Sequence, residues 1–310
     1  MPEIPVGEVI QSSFEWLTDN AAPLFDVLSA ALLFCVNLVY GLLAVLPSPA
    51  LIAILAVLAA VVVRSVSMVV FTVVAFLLVD GMQLWTETLQ TLSVVLVAAL
   101  VAVLLGIPVG ILAANSTRIS VVVRPILDFM QTLPVFVYLV PAVFFFGIGV
   151  VPGIFATMVF AIPPAVRLTE LGIRQVDAEM VEAAHAFGAR RSQLLSEVQL
   201  PLAVPSIMSG VNQVIMLALS MVVVAGLVGA EGLGGVVVQG VTQLNVGVAF
   251  EGGISVVILA IFLDRVTGVF GRTRRRRSLA GLWRVIRDRM SGSSVQDKEG
   301  TEAEPEPSGA

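Results

Sequence analysis

The residues Val181-Glu182-Ala183-Ala184-His185-Ala186-Phe187-Gly188, followed later by Leu200-Pro201, form a polar island in a chain otherwise apolar enough for a lipid bilayer. Their chemistry is recognition rather than bond making. Asp177 is placed to cap a helix, with Glu179 in the first turn, where a carboxylate complements the helix dipole. Ala178 to Phe187 is rich in helix formers, and Gly188 stands where a left-handed residue ends a helix. Ser192 is expected to cap a second helix through Gln193 to Gln199. Leu200-Pro201 then leads back into the bilayer, with proline in the first turn of the next helix. Ala183 and Ala184 are small, so a partner can close around the backbone. Met180 and Phe187 offer apolar anchors, and Glu182 supplies one fixed charge for register.

The same residues exclude other chemistry. The single histidine, His185, lies inside this helix, and no partners are spaced to complete a metal site or a catalytic triad. The chain has no glycine-rich phosphate loop of the Walker type, so it cannot hydrolyse ATP itself. No catalytic residue, metal or cofactor is expected in this chain, and no nucleic-acid partner.

The elements that carry the island follow from composition. With 310 residues, 58% hydrophobic and only 13% charged, and a mean hydropathy of +1.01, the chain reads as an all-α polytopic membrane protein. The net charge of −5 reflects the tails, where Asp297, Glu299, Glu302, Glu304 and Glu306 sit among Gly, Ser and Pro. Cys35 is alone, which rules out an internal disulfide, and its apolar surroundings predict a buried packing thiol. No cleavable signal peptide is expected. Residues 1–23 read as a tail, either interfacial or loose, with Glu3, Glu8, Glu15 and Asp19 around Phe14, Trp16 and Leu17.

A crossing helix needs about 20 apolar residues, which places candidates at 24–46, 50–79, 92–113, 126–146, 150–167, 203–228 and 246–264. The second is too long for one span and carries Arg64 near its midpoint, so two short helices turning at Arg64-Ser65-Val66-Ser67 are expected. That makes eight crossings, or seven if 24–46, with Asp26 and Asn37, lies in the interface. Arg64, Arg118, Arg124, Arg167, Arg174, Arg190, Arg191, Arg265 and Arg272 then share one side, while the loops at 47–49, 80–91, 147–149 and 229–245 contain no Lys or Arg. Positive charge collects on the cytoplasmic side, so the island and the C-terminus are expected there. Trp85 fits an aromatic belt on the opposite side, and Trp283 the inner leaflet. Gly106 and Gly110 have the spacing for close helix approach, with Pro108 between them as a source of a kink. The run Arg274 to Arg277 reads as a stop at the inner face and as a polybasic lipid contact.

The spacing of Glu182-Ala183-Ala184, Gly188 and Leu200-Pro201 resembles the EAA signature of bacterial ATP-binding-cassette import permeases. The flanks are similar to permeases for glycine betaine and proline betaine. Leu127 to Pro141, Gly210 to Gln213, Met216 to Val223, Gly229 to Gly234 and Ile261 to Arg265 carry that likeness, which covers about residues 80–267. The resemblance implies a MetI-like permease fold in the inner membrane. Residues 24–79 would be accessory helices, 80–267 the core with a coupling loop at 168–202, and 268–310 a basic then acidic tail. It also implies cytoplasmic ATPase subunits that bind ATP and Mg and dock on Glu182, Ala183, Ala184, Phe187, Gly188, Leu200 and Pro201. A separate extracytoplasmic substrate-binding protein and a permease homodimer complete the implied assembly.

A quaternary ammonium solute is bound well by aromatic faces, and Phe136, Tyr138, Phe144, Phe145 and Phe146 cluster in one span. Tyr138 and Phe146 are therefore candidates for the solute pathway. So are Gln213, Met216 and Ser220, which share one helix face at spacings of three and four. The competing reading is an ion-coupled secondary transporter, which needs mid-membrane ionisable groups. Asp26, Asp128 and Asp264 are its candidates. Asp128 and Asp264 stand beside Arg124 and Arg265, where charge pairing or interface placement accounts for them.

Overall fold

The computed structural model describes residues 6–271, and the regular structure among them is all helical, joined by short turns. The expectations for the polybasic run, the acidic tail and Trp283 fall outside the described residues. In chain order the helices are α1 (Val6–Ala44), α2 (Ser48–Val62), α3 (Val66–Gly81), α4 (Trp85–Asn115), α5 (Thr117–Thr132), α6 (Val135–Phe146) and α7 (Val150–Arg174). The island follows as α8 (Ala178–Ala186) and α9 (Arg191–Gln193), then a π-helical turn, Leu194–Gln199. The second half of the molecule is α10 (Leu200–Ser220), α11 (Val222–Leu227), α12 (Leu233–Thr242) and α13 (Val246–Gly271).

Among the described residues five helical segments are long and apolar enough to cross a membrane, α9 to α11 counting as one, and the bent pair α5–α6 has the composition for a sixth. The hairpin α2–α3 turns at Arg64 as expected, with that residue at φ +55°. Its arms have 15 and 16 residues, about 23 and 24 Å at 1.5 Å per residue, against about 30 Å of hydrocarbon. The eight expected crossings thus correspond to five full-length passes, the bent pair α5–α6 and one short hairpin.

α7 is the most buried of the spanning helices and α1 the least. The reason is visible along α4, where Gly106 and Gly110 open the surface that α7 enters. A Cβ on Gly106 would lie 2.5 Å from Ala165 Cβ, and one on Gly110 would lie 2.6 Å from Thr169 Cβ and 2.7 Å from the Val166 carbonyl oxygen. Two backbones this close gain dispersion contacts along their full length, which is the use of small residues inside a membrane. α4 runs unbroken through Pro108.

Four expectations need correction. The tail and first span form one helix, Val6–Ala44, which buries Leu32 and Val36 toward the bundle. Cys35 lies on its exposed side, because a helix at the edge of a bundle buries only one stripe. The span at 126–146 is bent by 93° between α5 and α6. Pro134 has no N–H and drives Leu133 to ψ 133°, outside the helical region. The segment 229–245 is not a plain loop but contains α12, whose Gly234 sits so close to α11 that a Cβ would lie 2.0 Å from the Val222 carbonyl oxygen. The 203–228 candidate is borne out as one crossing segment within Arg191–Leu227, with a turn at Met221 between α10 and α11.

Candidate functional site

α8 buries none of its side chains. An isolated nine-residue helix is marginal in water, so its ends must hold it. Asp177 caps the start, its Oδ1 accepting from the Glu179 N–H at 3.1 Å. At the other end Gly188, at φ +78°, donates its N–H to the His185 carbonyl at 2.9 Å, and the Ala189 N–H reaches the Ala184 carbonyl at 3.0 Å. These two bonds are the Schellman closure, which requires the left-handed conformation that glycine adopts without strain. A Cβ on Gly188 would meet nothing within 4 Å. Phe187 is 93% exposed. Met180, Glu182 and Ala183 are exposed beside it, and Ala184 is half-buried. Among the described residues no pocket receives the Phe187 ring, and exposed large apolar groups of this kind mark interaction surfaces.

The return to the bundle differs from expectation. Ser192 caps nothing. The Gln193 side chain accepts from the Arg190 N–H at 3.0 Å, and the Ser192 carbonyl accepts from the Ser196 hydroxyl at 2.9 Å. A π-helical turn then joins α9 to α10, with Leu200 half-buried and Pro201 exposed in the first turn. Wide turns of this kind recur at functional sites, and nothing in the residue types foretells it. Behind the hairpin lies a groove of about 500 Å³, lined by Ala114, Asn115, His185, Arg191, Leu195 and Gln199.

The pathway candidates separate into two groups. Phe146 is packed edge-on to Phe25 of α1, with centroids 5.5 Å apart, and lies 5.4 Å from Phe155 of α7. Phe145 stacks on Phe25 at 4.6 Å and 9°. These rings dock α1. Tyr138 instead points into the bundle, 8% exposed, beside Leu139, Ala156 and Met221 at the α10–α11 break. Its hydroxyl has no hydrogen-bond partner, an arrangement that costs about 1–3 kcal/mol unless something transient supplies one. On α10, Gln213 and Ser220 are exposed and Met216 half-buried, with the Ser220 hydroxyl bonded to the Met216 carbonyl at 2.9 Å. An apolar groove of about 760 Å³ runs between α6 and the end of α11, lined by Phe136, Val140, Val143, Phe144 and Leu227.

An ionic ladder went unread in the sequence. Ser120, Arg124 and Asp128 form one stripe of α5, and Arg167, Glu170 and Arg174 form one stripe of α7. Asp128 pairs with Arg167, not with neighbouring Arg124. Arg124 reaches Glu170 at 3.0 Å, Ser120 donates to the same carboxylate oxygen at 2.7 Å, and Arg174 lies 3.1 Å from it. Arg174 also donates to the Ala113 carbonyl of α4 at 2.8 Å. The spacings of four on α5, and of three and four on α7, were available as a signal. The sequence suggests a pairing of Asp128 with Arg124, and the structure gives Asp128 to Arg167 and Arg124 to Glu170 instead. Asp264 likewise has a structural partner, accepting from the Asn212 amide at 3.1 Å rather than pairing with Arg265. Two of the three carboxylates an ion-coupled mechanism would draw on are thus engaged, and Asp26 lies exposed on α1.

The pattern of the family described as binding-protein-dependent transport system inner membrane component matches residues 106–276. Over 268 residues, 86% of this chain and 94% of the relative, the sequence is 47% identical to the glycine betaine transport system permease protein OpuAB of Bacillus subtilis (strain 168). It is 44% identical to the glycine betaine/proline betaine transport system permease protein ProW of Escherichia coli (strain K12), covering 88% of this chain and 77% of that one. A solved chain of the MetNI methionine ABC transporter, in an inward facing conformation, superposes with a TM-score of 0.55 at 25% identity. That match covers 62% of this chain and 99% of the other. The matched region contains the glycine-sealed α4–α7 seam, the capped and exposed α8, and the helices that follow. The chain therefore belongs to the binding-protein-dependent transport system inner membrane components, multi-pass permeases of ABC transporters.

Proposed function

We propose that this chain is the transmembrane subunit of an ATP-driven importer of glycine betaine or a related quaternary ammonium solute. The observation that carries the reading is α8, a doubly capped helix with no buried side chain and an outward phenyl ring, in a chain at 47% identity to a glycine betaine permease. A partner ATPase grips Glu182, Ala183, Ala184, Phe187 and Gly188, while Leu200 and Pro201 carry the displacement into α10. ATP and Mg belong to that partner. An extracytoplasmic binding protein delivers the solute at the opposite end. The Arg-rich end, the coupling loop and the C-terminus face the cytoplasm, since positive charge is retained there.

The polar exposed face of α10 supports a permease homodimer. The Gln213 amide on an apolar spanning helix is costly against lipid, and a second copy would cover it or enclose it in a water-filled passage. In that passage Tyr138, Gln213, Met216 and Ser220 line the route, and Phe146 braces it from behind. Residues 24–79 are an accessory layer and 80–267 the working core.

The test is reconstitution. Vesicles carrying this chain, its ATPase and a betaine-binding protein should accumulate betaine with ATP and binding protein present, and only then. Uptake driven by a proton or sodium gradient without ATP would instead select the secondary-transporter reading.

A further inference from the structure

α5 is a spanning-segment helix with almost no apolar hold on the molecule. Of its 16 residues only Ser120 and Leu127 are buried, while Val121, Val122, Ile126 and Phe129 are exposed. Its attachment to α7 runs through the ladder, and the centre of the ladder is Glu170. That residue is 4% exposed. A carboxylate so buried demands charged or hydrogen-bonded partners, and one of its oxygens takes three: Ser120, Arg124 and Arg174. Through Arg174 and the Ala113 carbonyl the same node also ties down the last turns of α4. A cavity of about 290 Å³ borders it, lined by Arg124, Asp128, Arg167, Leu171 and Arg174.

The node's position matters more than its strength. Glu170 lies in the last turns of α7, and Gln175, Val176 and Asp177 alone separate that helix from α8. On the other side, α5 turns through 93° into α6, which carries Tyr138. We propose that Glu170 is a positioning residue that locks the α5–α6 strut to α7, so that displacement of the docking helix reaches the Tyr138 face. This rests on the importer reading for the origin of the displacement. The lock itself is a property of the fold. A helix held by directional ionic contacts follows its anchor as a unit, whereas one seated by apolar contact alone can slide in lipid.

Glu170→Gln keeps the size and an oxygen for Ser120 but removes the charge that holds two guanidinium groups. In vesicles with ATPase and binding protein, the variant should assemble and hydrolyse ATP within about twofold of wild type, while solute moved per ATP falls about tenfold. A purely structural role would lower assembly and hydrolysis together. A transport ratio within about twofold of wild type, in assembled complex, overturns the proposal. If Glu170→Gln does not insert, Arg124→Gln removes the α5 half of the same node with the same expected result.

A second measurement separates the lock from the importer reading. Spin labels on cysteines introduced at Val122 and Leu171, in a Cys35→Ser background, report the α5–α7 separation. The distribution should be narrow with intact Glu170 and broad in Glu170→Gln. Equal widths refute the lock even if ATP-driven uptake is observed. Should wild-type uptake need no ATP, the importer reading fails, and the label distances alone judge the lock.

Discussion

α7 meets the rest of the molecule along two seams of opposite construction. Toward α4 it presents Ala165, Val166 and Thr169, and the surface opposite is glycine, so the backbones sit at distances no Cβ would tolerate. Toward α5 it presents Arg167, Glu170 and Arg174, and the contact is made by side-chain tips. The first seam is short-range, apolar and intolerant of an added methyl group. The second is long-armed and directional, and it fixes α5 on α7 through the buried Glu170. A transport subunit has to combine a body that does not deform with a strut that moves as its anchor moves. One helix here provides both, on two of its faces.

The largest effect is expected at the first seam. Gly110→Val places new atoms where Thr169 Cβ and the Val166 carbonyl oxygen already stand within 2.7 Å. Backbone cannot yield as a side-chain tip can, so the loss of stability should be about 3 kcal/mol or more. The readout is the yield of monodisperse protein in detergent and its melting temperature. A melting point unchanged within about 2 °C would mean that the helices separate freely, and the contrast between the seams would vanish.

Next in size comes Phe187→Ala, which removes the exposed ring from α8 without touching either seam. The isolated permease should melt as wild type. Its affinity for the ATPase should fall by about 2 kcal/mol, or roughly thirtyfold, as for a central anchor of an interface. Titration of the ATPase into detergent-solubilised permease measures this. An unchanged affinity would move the docking site away from α8.

What the residue order reveals divides along the same line between local and distant. Asp177 and Gly188 do their work within five residues, and both were readable because capping is local chemistry. The close approach at Gly106 and Gly110 was readable from spacing alone, though not its partner. The bend at Leu133-Pro134 had a local cause that an apolar window of twenty residues concealed. α12 could not be foreseen in the same way. Its place depends on Gly234 meeting Val222, an encounter made only in the folded chain. The ladder is intermediate. Its two stripes stand in the sequence at helical spacing, but Arg124 choosing Glu170 over the nearer Asp128 is decided by the packing angle of α5 on α7. The shared exposed face of Gln213 and Ser220 was readable from their spacing, whereas the packing role of Phe146 needed its neighbours Phe25 and Phe155.

Gly188→Val is expected to cost about 1–2 kcal/mol at the turn, because a β-branched residue cannot hold φ +78° cheaply. Nothing lies within 4 Å of the new Cβ, so the strain stays in the hairpin and the seams stay intact. Insertion and melting should be near wild type while betaine uptake falls severalfold. Wild-type uptake in this variant would show that the shape of the hairpin does not transmit motion.

The smallest effect belongs to the outer rung of the ladder. Asp128 and Arg167 are paired with side chains 64% and 43% exposed, so Asp128→Asn should cost less than about 1 kcal/mol. Exposed ion pairs are screened, so the difference in melting temperature between wild type and Asp128→Asn should shrink as salt is raised toward 1 M. Glu170, buried and held by three donors, should show no such convergence when changed to Gln. The two rungs on the same pair of helices therefore have opposite salt signatures. If Asp128→Asn proves as damaging as Gly110→Val, or keeps its full effect in high salt, the α5 seam is as intolerant of change as the α4 seam and the division of labour on α7 does not exist.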